Sequence, residues 1–400
     1  SAASSYAFEN HYYAEVMFEP TMYMIAGPLI QGGASKTNSQ IPLPVVPIAG
    51  NPTMTLKLTG TRCNAGPEMF QAIGGGNKPA PANEGTVLKS TLLGQTYSGT
   101  YGQPAVIGGP TVEQGYIGAF TTEWNNLMLV VDGLTVTVPV CPSVTGLDMT
   151  SNVKAEVLWF RAMADGPAYQ LGAYNPIWNS GESYPKGMVM PQGGNNAHCL
   201  IGSYTAYGFA TGLMAYEHTT FTEMVTIFCG TGLYVNGQHA GHGVTGLKWS
   251  AEANDTHLTL ANSGDHNPVN ITSVQCENIN QFTSGYHIND PNNTGYGRIG
   301  FHTSQNVSTI AINGASNMEI ILDRPVTRGH QTSPTVPATT VALRNPFWRH
   351  AWVIVSGGTV TDIAVGGEST GLTSGAVRVP SGQSISLTYS AAPAWKWWLD

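Results

Sequence analysis

Written one above the other, "CLIGSYTAYGFATGLMAY" from Cys199 and "TTFTEMVTIFCGTGLYVN" from Thr219 coincide at an offset of twenty residues. Ile201 falls on Phe221, Tyr204 on Met224, Tyr207 on Ile227 and Phe209 on Cys229, and Thr211-Gly212-Leu213 recurs as Thr231-Gly232-Leu233. A further pass continues with small slips, in which Met224 maps to Leu247 and Leu233 to Leu258. Upstream, "VTGLDMT" from Val144 and "KGMVMP" from Lys186 fill the Gly-Leu position. "NNLMLVVDGLTVTV" from Asn125 and "NVKAEVLWF" from Asn152 fill the strand position before it, and "VNITSVQC" from Val269 and "NVSTIAINGASNMEIIL" from Asn306 carry the pattern on. A period of about 20–27 residues, made of strands of about 4–6 residues, cannot hide an apolar face within one unit. Stacking each turn on the last buries a continuous column, with equivalent side chains about 4.8 Å apart. Leucine-rich repeats would need L-x-x-L-x-L, helical repeats a 3.6-residue period, and propeller blades roughly forty residues. The pattern predicts an all-β chain whose centre, residues 51–326, is a right-handed parallel β-helix, a solenoid.

Such an array needs covered ends. Residues 1–50 are read as an N-terminal cap and lead-in, with Tyr12, Tyr13, Val16 and Met17 at helix-like spacing in "ENHYYAEVMF" before Pro20. "MTLKLTG" and "GTVLKSTL" read as strands interrupted by the Gly/Pro excursion "GGGNKPAPANEG". "TRGHQTSPTVPATT", within the segment 327–340, reads as a linker. Residues 341–400 then read as a small C-terminal antiparallel β domain, because "WVIVSG", "VTDIAVGG", "GAVRVP" and "SISLTYS" alternate and are split by Gly turns. So small a unit has a thin core. Its closing Trp395, Trp397 and Trp398 are therefore expected at an interface between copies.

Composition narrows the partners. With Gly 48, 10% charged and 42% hydrophobic residues, the chain is turn-rich and foldable rather than disordered. The net charge of −8, with no Lys/Arg cluster, argues against nucleic acid and against an anionic membrane surface. The five cysteines show no C-x-x-C spacing, so neither a metal ribbon nor a thioredoxin-like motif is expected. Cys199, Cys229 and Cys276 sit in apolar runs, as buried free thiols made in a reducing cytoplasm would. The opening at Ser1, without a start methionine, reads as a piece of something longer.

The closing "NPF…VSGGTVTDIAV…TGLTSGAVRVPSGQSISLTYSAAPAWKW" resembles the C-terminal cap of tail-tip proteins in tailed bacteriophages. The nearest resemblance is to minor tail proteins of phages that infect actinobacteria such as mycobacteria. "GPTVEQG" (Gly109 to Gly115) and the segment Gly187 to Ala197 are similar to stretches preceding that cap, so the likeness runs roughly from Thr53 to Lys396. The resemblance implies a homotrimeric tailspike or receptor-binding protein at the virion's tail tip. It would be joined to upstream tail or baseplate proteins and would recognise a host cell-surface glycan or glycolipid. A β-helix alone does not imply this, since pectate lyases share it.

Candidate chemistry falls in three groups. The insertion "DGPAYQLGAYNPIWNSGESYP" interleaves Tyr169, Tyr174, Trp178 and Tyr184 with Asn175 and Asn179. Aromatic faces stack on sugar C–H groups and amides bond hydroxyls, so this loop is the expected ligand site, with packing against the solenoid or another chain as the competing reading. A depolymerase, whether glycoside hydrolase or polysaccharide lyase, is the alternative. It would draw paired carboxylates from Glu156, Asp165, Glu182, Glu217 and Glu223, although single acids carry no motif. His239 and His242 in "NGQHAGHG" have a metal-like spacing but lie on a Gly-flanked turn, so no metal or other cofactor is expected.

Overall fold

From Lys154 to Leu260 the sequence repeat becomes an alternation between two parallel sheets. Long strands rich in Thr, Val and aromatic residues, Lys154–Asp165, Cys199–Tyr207, Thr219–Ile227 and Val244–Glu252, lie side by side in one sheet. Short strands that follow each of them, Lys186–Val189, Thr211–Ala215, Thr231–Val235 and Thr256–Leu260, form the other. The structure, a computed structural model, describes residues 13–25, 54–63, 85–90, 105–108, 127–139, 145–148, 154–165, 186–190, 199–216, 218–235, 243–260, 267–277, 285–303, 311–315, 317–322, 329–331, 333–347, 350–380 and 382–399. Among them every regular element is a strand. The first sheet has 12 strands, from Tyr13–Met17 to Asn317–Leu322, and the second has 8, from Ala105–Gly108 to Ile312–Gly314. Every neighbouring pair that defines them is parallel.

The register gives each buried column its residues. Leu147, Met188, Leu213, Leu233, Leu258, Ile288 and Ile312 stack one per rung, and Phe160, Tyr204, Met224, Trp249, Val274 and Phe301 stack across the first sheet. Each fully buried aliphatic contributes about 1.5–3 kcal/mol, so the column is the main source of cohesion. Buried polar tips are satisfied locally: Tyr204 Oη donates to Gly212 O at 2.7 Å, and Trp249 Nε1 donates to Thr226 Oγ1 at 3.0 Å. Within the long strands the alternation changes parity, since Gly202-Ser203, Thr222-Glu223 and Leu247-Lys248 are consecutive residues outside the core. A strand that keeps its inner side inward through such a step must bend there.

The glycine preceding the column residues Leu147, Met188, Leu213 and Leu233 has a steric reason. A Cβ on Gly212 would lie 2.6 Å from Gly232 O, and one on Gly187 would lie 2.7 Å from Gly212 O. The Gly-Leu signature is therefore a spacing device between rungs. Short turns join the sheets at 208–210, 228–230 and 253–255, with left-handed backbone at Gly208 (φ 78), Phe228 (φ 52) and Ala253 (φ 49).

Two expectations need correcting. The displacement that carries Leu233 to Leu258 carries Met224 to Trp249, not to Leu247, which points outward at 55% exposure. The segment read as a capping helix is the strand Tyr13–Met17, paired with Met54–Thr59. The open edge of Met54–Thr59 offers backbone partners, and Glu15 joins them by accepting from Thr59 Oγ1 at 2.6 Å and pairing with Lys57 Nζ at 3.0 Å. Met17, part of the supposed helical stripe, is 77% exposed.

The C-terminal residues form two four-stranded antiparallel sheets. One runs Gly329–Gln331, Ala394–Leu399, Ala351–Ser356, Gly375–Val379; the other runs Leu343–Arg344, Ser384–Ala391, Thr359–Val365, Glu368–Ser369. They enclose a second core that includes Val353, Val355, Ile363, Val379, Ile385, Leu387 and Trp397. The segment expected to be a linker runs along this sandwich. Pro334 O accepts from Trp395 Nε1 at 2.7 Å, Pro337 O accepts from Tyr389 Oη at 2.8 Å, and Thr340 N donates to Leu387 O at 2.8 Å. Arg344 reaches the last strand of the 8-stranded sheet, donating to Gly314 O at 3.0 Å and Ala315 O at 3.3 Å.

Candidate functional site

The expected ligand loop, with Tyr169, Tyr174, Asn175, Trp178, Asn179 and Tyr184, lies outside the described residues, as do Glu182, Glu217, His239 and His242. Its two ends are fixed by the strands Lys154–Asp165 and Lys186–Val189. In chain order the segment 166–185 stands between a long strand and the short strand after it, as the turns 208–210, 228–230 and 253–255 do.

Of the acids, Asp165 is placed by its backbone, opposite Pro139. Glu156 and Glu223 stand two strands apart, because Glu156 pairs with Leu200 whereas Glu223 pairs with Ser203, the partner of Trp159. Three residues along and two strands across put their backbones roughly 14 Å apart. Glu223 is instead held by Lys248 Nζ at 2.8 Å, an exposed pair on adjacent rungs.

The core holds a cluster that spacing does not announce. His257 and His287 precede the stacked pair Leu258 and Ile288, in the column that Gly212 and Gly232 occupy higher up. A ring nitrogen of each and the Cys276 sulfur lie within 4.8 Å of one another, all three side chains buried. The tautomers decide what this cluster can do. A metal-bound histidine donates its other ring N–H to an acceptor. Here His287 Nδ1 accepts from Ala311 N at 3.0 Å, so its proton sits on Nε2. His257 Nδ1 faces Asn254 Nδ2 at 3.4 Å. That amide is oriented by Cys229 N donating to its Oδ1 at 2.9 Å and by its own donation to Thr226 O at 3.0 Å. His257 therefore also carries its proton on Nε2, and neither Nε2 has a partner. Burial pushes His287 down to about 4 and His257 well below the usual histidine range, while it pushes the Cys276 thiol up. With their protons on Nε2 and each Nδ1 facing an N–H donor, the two imidazoles turn no free lone pair toward a cation in this arrangement. The two imidazoles belong to an edge-to-face stack that runs Trp249, His257, His287, Phe301.

The tryptophans divide by strand parity. Trp395 and Trp397, expected between copies, are 6% and 0% exposed and fill the sandwich's own core, with ring centroids 5.6 Å apart. That reading fails for these two because every second residue of Ala394–Leu399 faces inward. Trp398 faces outward, and directly opposite it on the neighbouring strand is Trp352, which the sequence reading had not singled out. The alternation in "AWVIVS" sets Trp352 opposite in facing to Val353 and Val355, and this was the signal available. Arg378 is in register with Trp352 on its other side. No known protein family matches the chain, and a search of curated proteins finds no match either.

Proposed function

We propose that the chain is a receptor-binding component of a phage tail tip: a right-handed parallel β-helix closed by a C-terminal sandwich, working as a homotrimer that recognises a host cell-surface glycan or glycolipid. The observation that carries the reading is the rung-by-rung alternation between two parallel sheets, and the aromatic sequence 166–185 falls between two of its strands. Columns of stacked side chains and unbroken backbone ladders make a stiff support, and a loop launched from a stiff support is where recognition is usually housed. The resemblance of the closing segment to tail-tip caps supplies the biological setting. Glu223 is paired with Lys248 rather than with another acid, so no observation favours the depolymerase alternative.

Two measurements test the proposal. Host cells coated with the purified chain are expected to lose phage adsorption, and Trp178→Ala with Tyr174→Ala to abolish that competition; unchanged competition would remove the insertion from the reading. Sedimentation is expected to give three times the 42.3 kDa chain mass, and a monomer would rule out the trimer.

A further inference from the structure

The sandwich has two outer faces of different chemistry. The sheet of Thr359–Val365 and Ser384–Ala391 turns Thr361, Asp362, Ser386 and Thr388 outward, an ordinary solvated surface. The other sheet turns out Trp352 and Ile354 from Ala351–Ser356, Lys396 and Trp398 from Ala394–Leu399, and Arg378 from Gly375–Val379. The register arranges these in two rows. Arg378, Trp352 and Trp398 form one; Ala376, Ile354 and Lys396 form the next. Trp352 is 41% exposed, Ile354 37% and Trp398 43%. None of the sheet's four strands contains an Asp or Glu, in a chain whose net charge is −8.

The sandwich core does not require indoles there, because the same strands fill it from the opposite parity. Two tryptophans directly opposite on neighbouring strands hold their Cβ atoms about 5 Å apart and offer adjoining indole surfaces. The exposed apolar area is on the order of 300 Å2, well short of the roughly 800 Å2 per partner that a stable protein interface buries. It matches a ligand of two or three sugar rings, whose C–H faces pack on indoles. The flanking Arg378 and Lys396, on strands that carry no acidic residue, give the face a positive charge that favours a negatively charged ligand.

We propose that this face is a saccharide-binding platform for acidic glycans, with pyranose rings stacked on Trp352 and Trp398 and a carboxylate, sulfate or phosphate substituent paired with Arg378 or Lys396. The ligand class rests on the glycan-recognition reading above, but the site is distinct from the insertion 166–185. The probe is a short oligogalacturonate, compared with its methyl ester, which keeps the rings and removes the charge. Binding is read by intrinsic tryptophan fluorescence and calorimetry on the full chain. The free acid is expected to bind more tightly than the ester. Trp352→Ala and Trp398→Ala are each expected to weaken it at least ~10-fold, and Arg378→Ala with Lys396→Ala to erase the preference for the acid. Melting profiles should stay unchanged in all variants, since these side chains lie outside the core. The platform is overturned if the wild type binds neither sugar, if the tryptophan variants bind as wild type does, or if they shift the sedimentation coefficient instead, which would mark the face as a contact between copies. Loss of the platform with adsorption competition intact would leave the receptor reading standing; loss of both would remove it too.

Discussion

The parallel-sheet region and the C-terminal sandwich are both built from short strands and glycine, but glycine answers a different problem in each. A Cβ on Gly212 would press within 2.6 Å of a carbonyl on the next rung, at an ordinary backbone conformation. Around Gly367, at φ +90, nothing lies within 4 Å; the turn needs the conformation and leaves the space empty. In the first region rungs are limited by how closely neighbouring layers approach, in the second by how sharply an antiparallel strand can reverse. The cores differ in the same way. One is a set of columns shared by many rungs, so a defect is spread over its neighbours. The other is a single small nucleus in which Trp395 and Trp397 supply much of the volume.

The largest test of that contrast is Trp397→Ala. Emptying a fully buried indole is expected to cost about 3–5 kcal/mol and to melt the sandwich as a separate early calorimetric transition, with the parallel-sheet transition held in place. A single merged transition would mean that the two cores unfold as one.

Acid should act on the other region. His287 titrates near 4 in the folded chain and near 6.5 when unfolded, so as pH falls through that window the unfolded chain takes up a proton that the native one refuses. Stability should therefore be full above pH 6.5 and fall by about 3 kcal/mol by pH 4 from this residue alone. The loss should appear in the parallel-sheet transition and be relieved in His287→Phe, which keeps a ring in the stack. An acid-insensitive transition would show that His287 is not buried neutral.

The smallest pair is Gly212→Ala against Gly367→Ala. The first forces backbone apart and is expected to cost about 2 kcal/mol; the second meets only conformational strain, about 1 kcal/mol. Thermal melts should show each loss in its own transition.

The rungs were readable in the sequence because burial in a stacked column acts on each residue type independently. Leu213 over Leu233 is visible as a repeat, since a leucine one layer up needs a leucine-sized neighbour. The reading slipped at Met224 because the loop before Val244 is longer, and Leu247 was matched by type where Trp249 holds the slot by register. The strand Tyr13–Met17 was misread because an edge strand is chosen by the neighbouring backbone rather than by its own side-chain period. The site was less legible. His257 and His287 are far apart in sequence and meet only through the layer spacing. Trp398 was grouped with Trp395 and Trp397 by proximity, when parity alone places it with Trp352 on the opposite face.

The contact of Arg344 with Gly314 and Ala315 has a consequence for how the chain behaves in numbers. A stack of parallel strands is a polymerisation template: its final layer presents carbonyls to which any further extended segment, its own or a stranger's, could add. The guanidinium engages the carbonyl at the end of the last described strand, Gly314 O, with a donor that cannot itself be extended. In the language of growing chains, the sandwich sets a terminator beside the last described layer of the 8-stranded sheet.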